Sequence, residues 1–172
     1  MRKLLMQPSE ALSATAQLAV ALAGFAGVVV AFRSRSLHEW TKVDKFRLRI
    51  LLLNSGIPFA LSLIGMMVLA ANIFPAPIWR WCSGSAFLLI WLAAIGYSRM
   101  FRRFSREELE AAGTSRALFY TSGLIGTAVT LLQLYNVIVL AAFWPFFAAI
   151  AVLLIIAMVQ FVRLVLIGEE VK

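Results

Sequence analysis

The side chains of this chain that carry reactive chemistry are few and scattered. His38 is the only histidine and Cys82 the only cysteine in 172 residues. A transition-metal site needs three or four clustered donors, and neither residue has such neighbours: His38 stands beside Glu39 in a basic stretch, which suits a solvated or headgroup-facing role. Cys82 has no intrachain disulfide partner and is expected as a small buried hydrophobe. The carboxylates Glu107, Glu108 and Glu110 follow Arg102, Arg103 and Arg106, with Glu110 one helical turn beyond Arg106. Paired carboxylates for hydrolysis require a cleft, and this spacing suits mutual screening at a surface instead. The sequence therefore assigns no catalytic residue, no metal site and no cofactor, and the chain is expected not to be an enzyme.

Uncharged polar residues are more suggestive. Asn54, Ser55, Gly56 and Pro58 interrupt an otherwise apolar stretch. Proline at 58 deprives the carbonyl of Asn54 of its helical donor. Two outcomes follow: a kink satisfied by neighbouring hydroxyls, or a broken helix whose Asn54, Ser55 and free carbonyl line a solute site. Gln17, Gln133 and Gln160 are further buried-polar candidates, but they do not converge at one depth. Asp, Glu, Lys, Arg and His are missing from the middle of every apolar run, whereas pumps and proton-coupled carriers keep such groups there despite their cost.

The elements that must position these residues are five apolar runs, at 10–32, 50–73, 82–98, 117–135 and 144–166. Each is near the roughly 20 residues that a helix needs to cross hydrocarbon. Hydrophobic residues make up 62% of the sequence and charged residues 14%, with a mean hydropathy of +0.91; a water-soluble surface of this size does not tolerate that composition. The predicted fold is all-α: one integral membrane domain over 1–172, a polytopic bundle of five transmembrane helices. From Ala117 to Gly168 the only charge is Arg163. A single helix of that length would reach about 78 Å, more than twice the hydrocarbon thickness, so it must fold back. Tyr135 and Asn136 can end one helix, and Pro145 suits the first turn of the next.

Of the 16 Lys and Arg residues, 13 fall in alternate gaps: Arg33, Arg35, Lys42, Lys45, Arg47 and Arg49, then Arg99, Arg102, Arg103, Arg106 and Arg116, then Arg163 and Lys172. Cytoplasmic segments of membrane proteins retain such charge, so the N-terminus is expected outside and the C-terminus inside. The same placement accounts for the net charge of +8 without nucleic acid as a partner. Arg2 and Lys3 oppose this orientation, as in a signal peptide, but the apolar run continues through Phe32 like an uncleaved anchor. Trp79, Trp81, Tyr135 and Trp144 would lie at outer headgroup depth, Trp40, Tyr97 and Tyr120 toward the inner one. Trp91 falls in mid-span, facing a helix or lipid.

Thr41 with Asp44 fits a capping box that starts the second helix near Lys42, and Ser105 with Glu108 repeats the pattern before Gly113. The loops containing Trp40, Asp44, Arg47, Arg102 and Arg103 are the expected inner surface, able to meet anionic headgroups or the protein's own carboxylates. Thr15, Ala19, Ala23, Gly27 and Ala31 recur every four residues, and Ser122, Gly126 and Thr130 do the same. Small side chains let membrane helices approach closely. Spans one and four, or span one and its copy in a dimer, are expected to pack along these rows.

The string Ala23-Gly24-Phe25-Ala26-Gly27-Val28-Val29-Val30-Ala31-Phe32-Arg33, with Trp40, Asp44 and Arg47-Leu48, resembles the start of a group of small, uncharacterised bacterial multi-pass inner-membrane proteins. Gln160-Phe161-Val162-Arg163-Leu164 is similar to their closing segment. The resemblance covers about a third of the sequence; it implies a bacterial inner membrane and no activity. The function expected is a non-enzymatic bundle acting by oligomerisation or as an accessory subunit of a membrane complex. A channel or facilitator for a neutral or lipid-like solute is the alternative.

Overall fold

The computed structural model describes residues 7–32, 40–71, 77–105 and 116–166. Among them are five long helices: α1 Pro8–Phe32, α2 Lys42–Ala71, α3 Ile78–Phe101, α4 Arg116–Tyr135 and α5 Phe143–Leu166. A π-helical turn, Asn136–Leu140, extends α4. All five are long and apolar enough to cross a membrane, so the chain has the architecture of a multi-pass membrane protein.

The boundaries follow local chemistry. The Thr41 hydroxyl accepts the Asp44 N–H at 3.1 Å and donates to the Asp44 carboxylate at 2.9 Å, so the expected cap starts α2 at Lys42 and carries the helix two turns beyond its apolar run. Pro58 lies inside α2, which continues through it to Ala71. The third helix begins four residues before its apolar run, taking Trp79, Arg80 and Trp81 into its first turn. Of the second capping box only Ser105 is among the described residues; its partner at 108 and the glycine stop at 113 lie outside them, as do His38, Glu39 and the carboxylates at 107 and 110.

The reversal between α4 and α5 falls later than expected. Tyr135 does not end the helix; the Ala141 N–H reaches back five residues to the Asn136 carbonyl at 2.9 Å. Ala141 then takes the left-handed conformation, φ 51°, and α5 starts two residues on. Pro145 sits in the first turn of α5, where its missing N–H would have had no helical acceptor.

Packing is centred on α2. It runs antiparallel to α1, with Leu12 opposite Gly65 and Thr15 opposite Ser62, and α5 packs along both helices. The α3–α4 pair closes the bundle from the side, with α3 also touching α2 and α5. One apolar cluster joins Leu12, Ala19, Leu61, Cys82, Ala86 and Phe146 toward one end. A second joins Ala26, Trp40, Leu51, Ala157 and Leu164 toward the other. Because successive helices reverse direction, the second end also receives Lys42, Lys45, Arg47, Arg49, Arg99, Arg102, Arg103 and Arg163. Arg80 stands alone among the described cations at the first end, where Trp81, Tyr135 and Trp144 are exposed.

The two small-residue rows do not meet. Within the chain α1 packs on α2 and α5, while α4 packs on α3 and α5. The reason is helical geometry: a row spaced by four drifts about 40° per step on a helix of 3.6 residues per turn. Thr15 and Ala19 therefore face the core, Ala23 is half-buried, and Gly27 and Ala31 face outward. The face that stays on the core is Leu12, Thr15, Ala19, Leu22 and Ala26, spaced alternately by three and four.

Candidate functional site

Three polar assemblies could carry function: one on the α1–α2 contact, one at the hairpin between α4 and α5, and the basic end of α2.

On the α1–α2 contact, the Thr15 hydroxyl lies 2.9 Å from the Ser62 hydroxyl and 3.0 Å from the Leu12 carbonyl. Thr15 can donate back into its own turn while accepting from Ser62, so both hydroxyls are satisfied at once. One turn along α2, the Cβ that Gly65 lacks would lie 2.7 Å from the Leu12 side chain and 3.2 Å from that of Phe146; glycine here permits a three-helix approach. The suggested solute-site residues fall on this same inward face. Asn54, Ser55 and Pro58 are buried, and Ser55 donates to the Leu51 carbonyl at 3.0 Å. Neighbouring packing and a backbone-bonded hydroxyl thus surround the proline.

At the hairpin, Asn136 is fully buried and uses its whole amide. Its nitrogen donates to the Ser83 hydroxyl at 2.6 Å and the Ala142 carbonyl at 3.0 Å, and its oxygen accepts the Ala142 N–H at 2.9 Å. Gln133, one turn earlier and equally buried, donates to the Pro145 carbonyl at 2.8 Å. Its own side-chain oxygen is buried without a hydrogen-bond partner. These bonds tie the turn to α3 and to the start of α5. Gln17 is exposed and Gln160 half-buried, so the three glutamines are in separate places.

At the basic end, the expected surface residues divide. Arg102 and Arg103 are exposed just beyond α3. Trp40, however, is buried in the second apolar cluster, and Arg47 is only 4% exposed, 3.5 Å from Asp44. The inward stripe of α2 runs Val43, Phe46, Arg47, Leu51, Asn54 and Pro58, and Arg47 falls within it. Asp44 therefore serves as cap and counter-ion together. The outward cations of this turn are Lys45 and Arg49, above Leu48, Leu52 and Leu53.

Ser62, Gly65 and Ser83 carry close contacts that sequence inspection did not single out. The signal available for the first two was their register with Leu61 and Pro58 on one face of α2; Ser83 offered none, since its partner lies 53 positions away. Among the described residues no group of three His, Cys, Asp or Glu side chains is placed to hold a metal, and Cys82 is a buried free thiol.

Fold and polar contacts together define a multi-pass α-helical membrane bundle whose interior hydrogen bonds join helix to helix. No family model matches the chain, and neither curated proteins nor solved structures provide a match.

Proposed function

We propose that this chain is a non-enzymatic membrane bundle that works by association, as a homo-oligomer or as an accessory subunit of a membrane complex. The setting that suits it is a bacterial inner membrane, with the N-terminus outside and the C-terminus inside. The observation that carries the reading is the outward face of α1: a Cβ at Gly24 or Gly27 would meet nothing within 4 Å, and Ala21 and Ala31 are exposed beside them. Small residues at open positions let a second helix approach closely, and close approach is what drives association where lipid replaces water. Asn54, Ser55 and Pro58, which a facilitator would turn toward a solute path, are buried on the inward face of α2.

Gly27→Leu tests the reading. Its side chain has room within one chain, so the monomer should fold with unchanged helicity while the detergent-extracted assembly loses mass or its partner. An unchanged assembly with unchanged thermal stability would refute association through α1. Flux of a neutral solute into proteoliposomes that disappears in Asn54→Ala would favour the facilitator.

A further inference from the structure

The outward side of α2 at the basic end carries a groove of about 340 Å³, lined by Lys45, Leu48, Arg49, Leu52 and Leu53. These positions recur at three and four residues, so they share one helix face. Along it Lys45, Leu48 and Arg49 lie nearer the helix start, and Leu52 and Leu53 about one to two turns deeper, about 12 Å from end to end. All but Leu48 are exposed. We infer that this groove is a binding site for an anionic phospholipid, with Lys45 and Arg49 on the headgroup phosphate and the three leucines along the upper acyl chain.

Charge and depth favour this occupant. Lys45 and Arg49 are exposed on the side of α2 opposite the buried Arg47, at the end of the helix where headgroups would lie. Lys and Arg stems can follow leucine surface while the charged tips stay at the interface. A comparison within the molecule sharpens the assignment. The groove at the other end, about 500 Å³, has no cation among its described lining residues Gln7, Pro8, Ser9, Met66, Leu69 and Ala70. The inference is independent of association through α1, which uses a different helix and face.

The test uses the full chain, extracted gently, equilibrated with equal phosphatidylglycerol and phosphatidylcholine, and weighed with its retained lipids by native mass spectrometry. Phosphatidylglycerol should be retained in preference. In the double variant Lys45→Gln, Arg49→Gln its retention should fall about thirtyfold, the effect of two basic groups at an anionic surface. Arg80→Gln at the opposite end should leave it unchanged. Leu52→Trp fills the groove with both charges intact and should also lower retention; normal retention there would mean charge attraction without a site, and would overturn the inference. So would equal retention in the double variant, or complete displacement of the lipid by excess inorganic phosphate. A change of oligomer mass in the double variant with lipid unaffected would assign the groove to a second copy of the chain, and would equally overturn it.

Discussion

Asn136 concentrates more structure than any other polar side chain described. A buried amide that has lost its partners leaves unsatisfied groups in a medium without water, and here one residue satisfies two segments. Asn136→Leu should lower stability by about 1–3 kcal/mol, read as a fall in melting temperature of the detergent-solubilised protein; Ser83→Ala removes one bond and should fall less. The Thr15–Ser62 contact is a single bond of the kind that contributes about 0.6 kcal/mol between membrane helices. A double-mutant cycle with Thr15→Val and Ser62→Ala should return a coupling near that value. Gly65→Val places atoms where Leu12 and Phe146 already stand and should cost about 1–3 kcal/mol by overpacking. The contrast with Gly27, where the space is open, separates folding from assembly: Gly65→Val should unfold more readily as a monomer.

Elements in this bundle start and stop for reasons of unequal visibility. The Thr41–Asp44 cap was legible because its two residues are three apart and its bonds are local. Thr41→Ala should shorten α2 at its basic end and lower stability by about 1 kcal/mol, checked by thermal melting and by faster amide exchange at Lys45 and Phe46. The end of α4 was less legible. Tyr135 and Asn136 look like a polar stop, yet the helix continues as a π turn with the Asn136 side chain bonded to Ala142 and to Ser83, and the Ser83 contact lies outside any local window. Within the chain, α1 packs by a face that the four-residue row does not follow, for a geometric reason: regular spacing by four winds around the helix, whereas alternating three and four stays on one side.

For the whole molecule, the alternation of basic gaps becomes a physical asymmetry. Nine described Lys and Arg residues, Arg116 at the start of α4 included, belong to one end and Arg80 to the other. If this charge sets orientation, a phosphatase fused after Lys172 should be inactive and a fluorescent protein that folds only in the cytoplasm should fluoresce there; the opposite pair of results would reverse the topology. The aromatic pair Phe46–Phe104, with centroids 5.2 Å apart, and Trp79–Phe143, at 4.8 Å, tie the helix ends at the two levels. The middle of the bundle is left to small and apolar side chains.

By itself the sequence determined that the chain forms long apolar helices, roughly where they begin, and which gaps carry charge. Those properties depend on composition and on residues a few positions apart, and an apolar run about 20 residues long has few alternatives to a membrane helix. Only the tertiary structure decided which faces meet. It put Gly65 against Leu12 and Phe146, joined Asn136 to Ser83, buried Arg47 beside Asp44 while Lys45 and Arg49 face outward, and left Gly27 open. In hydrocarbon nearly every face of such a helix is apolar, so hydrophobicity cannot choose between them; the choice falls to shape and hydrogen bonding between residues far apart in the chain.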